Sequence, residues 1–212
     1  MVYKVADILR DVRIAMDNNG IEPKLLSAKD TDTLELDDII RSVIVDAIKV
    51  VEMSAPLQYI DSGYNFAKDN PQLYWNGDGS GKVLLPTDFM RLIVFRMSDW
   101  SRPVYTAISE TDAQYVLQSS RFKGVRGNAQ KPVCAIVKRP EGNVLEYYSS
   151  NSESATIDSA VYLPLPKIEE DGVEISERCY KAVVYQCGAM ALTILSDNRA
   201  NSLAELAKAM IL

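Results

Sequence analysis

Two stretches near the start of the chain place apolar residues at helical spacing. The first spans residues 4–18 and has charged residues between its apolar positions, which predicts an amphipathic helix. The second spans residues 33–55 and should end before Pro56. Its apolar stripe is wider than a single packing face needs, so this helix is expected to contact more than one neighbour.

The pattern changes between residues 57 and 172, where short β-rich runs are separated by Gly, Pro, Asn and Asp. Such spacing is typical of an antiparallel sheet or a small barrel. One short helix is expected inside this region, where Ser109 and Asp112 form a capping pattern ahead of Val116 and Leu117. The candidate strands cover residues 83–85, 91–97, 103–107, 133–138, 144–148 and 160–163.

Helical spacing returns at residues 176–197 and again at residues 202–210. Each amphipathic helix must bury its apolar side, and the available partners are the helices at the other end of the chain. We therefore predict an α+β fold in which residues 1–56 and 173–212 form an antiparallel helical bundle. Residues 57–172 are then an inserted β-rich domain.

Composition excludes most catalytic chemistry. The chain of 212 residues contains no histidine, which is the commonest general base and metal ligand and a partner of nucleophilic Ser and Cys. Cys134, Cys179 and Cys187 lack the spacing of disulfides or zinc sites and are expected to be buried thiols. We expect no enzymatic activity, no cofactor and no metal. No apolar run is long enough for a membrane span.

The overall charge is acidic, with 23 Lys and Arg against 29 Asp and Glu and a formal net charge of -6. Phosphate binding needs an excess of basic side chains on some face of the protein. The chain as a whole is therefore not expected to bind nucleic acid tightly.

Two segments resemble a known family. They are LLPTDFMRLIVFRMSDW at residues 84–100 and RCYKAVVYQCGAMALTILSDNRANSLAELA at residues 178–207. Together with the order of the predicted elements, they resemble the head-to-tail connector proteins, also called adaptor or ring proteins, of short-tailed bacteriophages. Within this family, the sequence resembles the connector proteins of the crAss-like phages more closely.

This resemblance implies a structural virion protein that is assembled in the host cytoplasm and belongs to the tail connector. Such proteins form a ring, typically of twelve copies, below the portal protein. The implied partners are other copies of the chain, the portal and another tail or ring protein. DNA passes through the ring during genome ejection without sequence-specific binding.

The strongest basic cluster is a glycine-containing loop with Arg121, Phe122, Lys123, Arg126 and Lys131. Three interpretations remain open for it: a solvated loop, an interface arm that reaches an acidic patch on a neighbouring subunit, or a DNA contact. We favour the arm over DNA because the whole chain is acidic.

An acidic cluster, Glu169, Glu170 and Asp171 with Glu174 and Glu177, leads into the third long helix. Negative charge near a helix start is stabilising, which gives this cluster a structural interpretation. The functional interpretation is that these side chains face a channel and repel the DNA that passes through it.

Several large apolar residues are candidate subunit contacts. Trp75 and Trp100 can either pack in the β-rich core or contact a neighbour. The chain ends on Ile211 and Leu212, which can either complete the bundle or bind a neighbour. Residues 76–81, with the sequence NGDGSG, are expected to form a turn.

Three hypotheses for the function follow. The leading one is a structural ring component of a phage connector. The first alternative is a nucleic-acid-binding accessory protein that uses the basic loop at residues 121–131. The second is a hydrolase that works through paired carboxylates.

Overall fold

The computed structural model describes residues 1–17, 31–122, 124–148 and 150–211. In this part of the chain it is a mixed α+β structure with five α-helices and three sheets. The chain divides into two compact units, residues 1–62 with 165–212 and residues 63–164. We call them the helical unit and the β unit.

The helical unit contains the two α-helices that precede the β unit in sequence and the two that follow it. Helix α4 packs against α1, α2 and α5, and the four helices contribute to one hydrophobic core. Val183 and Leu192 of α4 are buried together with Ile8 of α1 and Ile44 of α2. The helices are α1 (Val5–Asp17), α2 (Thr31–Ser54), α4 (Tyr180–Ile194) and α5 (Ala200–Ala209).

A small sheet in the helical unit was not predicted. Its strands are β1 (Val2–Lys4), β10 (Ile168–Glu169) and β11 (Gly172–Glu174), in the order β1-β11-β10. The chain therefore begins with a strand and not with a helix. Pairing of β11 with β1 and of β10 with β11 brings residues 165–172 into the helical unit, whereas the sequence boundary assigned them to the β-rich domain.

The start of α4 is fixed by acidic side chains from other segments of the helical unit. Glu52 of α2 is 2% exposed and accepts a hydrogen bond from the Ser176 backbone N–H at 2.9 Å. Asp61 accepts from the Glu177 N–H at 3.2 Å, and the Ser62 and Ser176 hydroxyls lie 2.9 Å apart. These bonds satisfy N–H groups that a helix start leaves without a partner, and they tie α2 to α4.

The β unit contains two separate sheets, where the sequence predicted one antiparallel sheet or a small barrel. The first has the order β2-β9-β5, with strands β2 (Tyr64–Asn65), β5 (Phe89–Met97) and β9 (Ile157–Pro164). The second has the order β3-β4-β8-β7-β6 and is antiparallel except for its β6–β7 edge. Its strands are β3 (Leu73–Trp75), β4 (Gly81–Leu84), β6 (Ile108–Ser109), β7 (Cys134–Arg139) and β8 (Gly142–Tyr147).

Aromatic side chains dominate the core of the β unit. Trp100 is 2% exposed and meets Phe95 edge to face, with ring centroids 5.6 Å apart. Phe89 stacks on Tyr162, whose hydroxyl donates to Asp88 at 2.8 Å. The predicted strand at residues 103–107 does not form, because within this described stretch only Val104 pairs, as an isolated bridge to Phe95.

Candidate interaction surface

The short helix α3 (Ala113–Leu117) begins a largely exposed segment of the β unit. The Asp112 carboxylate, just before it, accepts hydrogen bonds from the Ser109 backbone N–H at 2.6 Å and from its hydroxyl at 3.1 Å. This closes the turn between β6 and α3. The helix is therefore held in place although it has only five residues.

The loop after α3 is closed by one buried side chain. The Gln118 side-chain oxygen accepts from the Gly127 N–H at 2.8 Å, and its amide nitrogen donates to the Gln114 carbonyl at 2.8 Å. Within the loop, the Phe122 carbonyl accepts from the Val125 and Arg126 N–H groups. The two ends of the loop are thus fixed by hydrogen bonds.

Four large apolar side chains of this segment face solvent, and we call them the apolar knob: Val116, Leu117, Phe122 and Val125. Val116 is 71% exposed and Phe122 is 69% exposed, while the other two are about half exposed. Single exposed apolar residues are ordinary, but four of them within ten residues of sequence make this segment a candidate interaction site. The sequence predicted the short helix that carries Val116 and Leu117, and the structure exposes both side chains.

The predicted basic cluster is divided in the structure. Arg121, which precedes Phe122 in the sequence, and Lys131 are exposed, and Lys123 lies outside the described residues. The Arg126 side chain is only 10% exposed, and its guanidinium donates to the Asp78 backbone carbonyl and lies 3.4 Å from the Asp78 carboxylate. Arg126 therefore holds the turn at residues 76–81 and is not available to a partner.

The same turn is stabilised from within. The Ser80 hydroxyl and backbone N–H both donate to the Asp78 carboxylate, the latter at 2.8 Å. The hydrogen bond from the Ser80 hydroxyl lowers the pKa of Asp78 most. The bond from the Ser80 N–H and the nearby Arg126 charge lower it further. Asp78 is therefore stabilised in its ionised form, which is the form that pairs with the Arg126 guanidinium.

Three other predicted contact residues lie in or against the cores. Trp100 is buried in the β unit, which leaves no surface for a neighbour, and Trp75 is partly buried against the same core. Ile211 is buried in the core of the helical unit, and Leu212 lies outside the described residues.

The predicted acidic residues Glu169, Glu170 and Asp171 are exposed around the turn between β10 and β11. Glu170 and Asp171 form the two-residue connection and have φ values of 47° and 63°. The Asp171 carboxylate pairs with Arg41 at 3.3 Å. Positive φ is unfavourable for residues with a side chain, so this turn holds its charges in a strained backbone.

The helical unit carries an apolar groove that sequence reasoning did not identify. It has a volume of about 290 Å³ and is lined by residues of α1, α4 and α5. Ile14 and Leu206 line it and are each partly exposed. The other lining residues are Asp11, Ala15, Tyr180, Lys181, Val184 and Tyr185.

One end of the groove is fixed by an aromatic and polar cluster. The Tyr180 hydroxyl donates to Asp11 at 2.7 Å, and the Tyr180 ring stacks on Tyr3 with centroids 4.2 Å apart. Burial and the Asp11 carboxylate together raise the pKa of Tyr180, so its hydroxyl remains a donor. The groove therefore has a preformed wall.

The charge of the chain is unevenly divided between the units. The helical unit contains 12 Lys and Arg against 19 Asp and Glu, and the β unit contains 11 against 10. The formal net charges are therefore -7 and +1. The acidic character of the chain belongs to the helical unit alone.

Within the described residues, no group of three or more His, Cys, Asp or Glu side chains is arranged to hold a metal ion. No helix in that part of the chain has both the length and the apolar composition to cross a bilayer. The three cysteines are buried. No protein-family model matches the sequence, and no curated protein is significantly similar to it.

Proposed function

We propose that this protein is a structural, non-enzymatic ring component of a phage head-to-tail connector. In this proposal it assembles in the host cytoplasm, becomes part of the virion, and joins the portal protein to another tail or ring protein. The family resemblance supplies the identity of the assembly and its twelve-fold symmetry. The exposed apolar side chains of the β unit support the more general part of the proposal, which is that the chain binds other protein chains.

The observation that carries the proposal is the apolar knob on a fixed loop. Covering a largely exposed Val, Leu or Phe side chain is worth about 1–3 kcal/mol. A segment that exposes two such side chains, Val116 and Phe122, and two half-exposed ones, with Gln118 closing its loop, is suited to a protein partner. The exposed Arg121 beside Phe122 adds a charge that favours an acidic partner.

The helical unit would form the body of each subunit. We propose that α1, α2, α4 and α5 are arranged as an antiparallel bundle, with α4 at its centre because it packs against the other three. Copies of such a bundle could stand side by side around an axis. Glu169, Glu170 and Asp171 would then face the channel and repel passing DNA, which moves through without sequence-specific contacts.

Purified protein, examined by mass photometry and negative-stain electron microscopy, tests the proposal. We expect closed rings with a central hole, either alone or after addition of the portal protein of the same phage. The variant Phe122→Asp should reduce ring formation because it places a charge in the knob. Tyr105→Asp, at an aromatic side chain that is also more than half exposed, is the matched control.

Two results would contradict the proposal. One is a chain that stays monomeric at high concentration with and without the portal. The other is tight binding to duplex DNA at physiological salt, lost when Arg121 and Lys131 become Ala, which supports the nucleic-acid-binding alternative.

A further inference from the structure

We infer that residues 57–62 form a strap that detaches from residues 176–178 while the core of the helical unit stays folded, and that ionisation of Glu52 favours the detached form. The strap is the last segment of the helical unit before the chain enters the β unit at Gly63. Its attachment therefore determines how much of this connection is fixed. The inference concerns a single chain and does not depend on the proposed ring function.

Polar contacts hold the strap to the residues just before α4. The Gln58 carbonyl accepts a hydrogen bond from the Arg178 guanidinium at 3.4 Å, and this guanidinium also lies over the Tyr59 ring, 5.8 Å from its centroid. Both oxygens of the Asp61 carboxylate accept from the Glu177 N–H, each at 3.2 Å. The strap is therefore attached near both of its ends.

The last contact of the strap leads to the buried carboxyl group of Glu52. The Ser62 hydroxyl lies 2.9 Å from the Ser176 hydroxyl, and the Ser176 N–H donates to Glu52 at 2.9 Å. Glu52 and Asp61 thus accept from consecutive backbone amides, those of Ser176 and Glu177, which brings their carboxyl groups close together. Two like charges in such positions disfavour each other's ionisation.

Little apolar burial holds the strap in place. None of its six residues is buried, and Tyr59 and Ile60 pack against the helical core only as partly buried side chains. Exposed polar contacts contribute little to stability, and a segment with few buried apolar contacts opens at a lower free energy than the whole structure. Ser176 and Cys179, by contrast, are fully buried. The strap is therefore expected to open while α4 remains packed.

Ionisation of Glu52 weakens the attachment. Burial raises the pKa of Glu52, and the charges of Glu174 and Asp61 add to this effect, although the bonds from Ser176 act in the opposite direction. Detachment removes the Asp61 charge and admits water, so the pKa falls towards its ordinary value of 4.5. The attached form therefore binds the proton more tightly. It is favoured at low pH and loses this advantage as the pH rises through the pKa of the attached form.

Other charged or titratable groups lie around Glu52. On α2 itself, the preceding charged side chains, Asp46 and Lys49, are exposed and pair with each other. The Met1 amino group donates to the carbonyl of Ile175, next to Ser176, at 3.0 Å. The remaining groups are Tyr3, Glu177, Arg178 and Tyr180.

Hydrogen–deuterium exchange, read by mass spectrometry with electron-transfer fragmentation, tests the inference at single amides. The Glu177 N–H reports on the strap because its acceptor is Asp61, and the Cys187 N–H in the middle of α4 reports on the core. After correction for intrinsic exchange rates, we expect the Glu177 amide to open about tenfold more often or beyond that. Low urea concentrations should leave its opening unchanged, because local opening exposes little surface.

Ser62→Ala tests whether the contacts act together. This variant removes the bond to Ser176 and leaves the Asp61 carboxylate in place, so a change at the Glu177 amide must pass through the strap. We expect its opening to increase about fivefold, the usual effect of losing one hydrogen bond. Ser54→Ala is the matched control, because the Ser54 hydroxyl bonds only to carbonyls of α2, and it should leave Glu177 exchange unchanged.

Glu52→Gln tests the role of ionisation. In the wild type, opening at Glu177 should increase between pH 4.5 and neutral pH, by at most about tenfold per pH unit, because one proton is released. In Glu52→Gln this increase should be absent, since the amide carries no charge at any of these pH values. The intrinsic pH dependence of exchange is removed by the correction, and the Cys187 amide provides an internal reference.

Three results would overturn the inference. In the first, the wild-type Glu177 and Cys187 amides exchange with the same opening constant and the same urea dependence, which means that the strap opens only when the whole unit unfolds. This measurement stands even where Ser62→Ala does not fold. In the second, folded Ser62→Ala leaves Glu177 exchange unchanged. In the third, the wild type and Glu52→Gln have identical pH profiles. None of these results bears on ring formation, and a chain that forms no rings can still have the strap.

Discussion

The helical unit and the β unit each have a hydrophobic core, but their surfaces differ in charge and in shape. The helical unit has a net charge of -7 and an apolar groove, whereas the β unit has a net charge of +1 and an apolar knob. The average charge of the chain describes neither unit. The net charge of -6 therefore does not describe the β unit, whose charge of +1 is less unfavourable for phosphate binding.

The two units also differ in how polar groups fix their elements. In the helical unit, buried Glu52 and exposed Asp61 bind the start of α4. In the β unit, Arg126 binds the turn at residues 76–81 and Gln118 closes the knob loop. In both units, residues that sequence analysis would assign to the surface form internal contacts, so charge alone does not identify binding residues.

The largest effect is expected from Trp100→Ala in the β unit. Removal of this buried indole should lower the free energy of unfolding by about 3–5 kcal/mol, because it leaves a cavity beside Phe95. Hydrogen exchange measured by mass spectrometry should show the loss of protection in peptides from residues 63–164. Peptides from the helical unit should remain protected, since its core is separate.

Trp75→Ala is the matched control because Trp75 is only partly buried against the same core. We expect a smaller loss of stability for it. Equal loss of protection in both units after Trp100→Ala would show that the two cores unfold together. The helical unit and the β unit would then not be independently stable.

A smaller effect is expected from Glu52 in the helical unit. Glu52→Ala removes the acceptor of the buried Ser176 N–H and should cost about 2 kcal/mol of unfolding free energy. Glu52→Gln keeps a side-chain oxygen at the same place and should cost less. Urea unfolding of the three proteins at neutral pH measures the difference.

The pH dependence of Glu52 separates its charge from its hydrogen bond. Burial raises the pKa of Glu52 above the value of 4.5 for an unperturbed Glu, although the bonds from Ser176 act in the opposite direction. The folded protein therefore binds this proton more tightly than the unfolded chain. The contribution of Glu52 to stability is greatest below pH 4.5 and declines as the pH rises through the folded-state pKa. In Glu52→Gln this decline should be absent, and an identical pH profile in both proteins would contradict the assignment.

The long helices were the part of the fold that the sequence predicted best. Apolar residues at helical spacing over 10 to 24 residues define α1, α2, α4 and α5, and the observed bounds lie within a few residues of the predictions. The strands β1, β10 and β11 have two or three residues each, too few to show alternation. Their turn, Glu170-Asp171, also lacks the Asn or Gly that signals a hairpin.

The candidate site was predictable only in part. The sequence identified the loop with Arg121 and Phe122, because basic and aromatic residues stand out there. It could not show that Arg126 is used internally, since its partner Asp78 is 48 residues away. The sequence also could not show that Val116 is exposed. Helical spacing identifies the apolar side of a helix, but it does not show whether another element covers that side.

The smallest effect is expected at the turn between β10 and β11. Replacing Glu170-Asp171 by Asn-Gly should raise the free energy of unfolding of the helical unit by about 1 kcal/mol, because both positions have positive φ and these residues suit such a turn. The lost pair between Asp171 and Arg41 is exposed and contributes little. Urea unfolding followed by circular dichroism measures the gain.

Glu169→Gln is the matched control, since it removes a neighbouring charge without changing either turn position, and its stability should be unchanged. A turn that could be more stable but keeps two charged residues suggests that the charges matter more than the stability. If these side chains face DNA, the Asn-Gly variant should bind duplex DNA more tightly at low salt than the wild type. A variant that is no more stable would mean that the backbone strain at Glu170 and Asp171 is already offset locally, and the argument for a retained acidic turn would lose its basis.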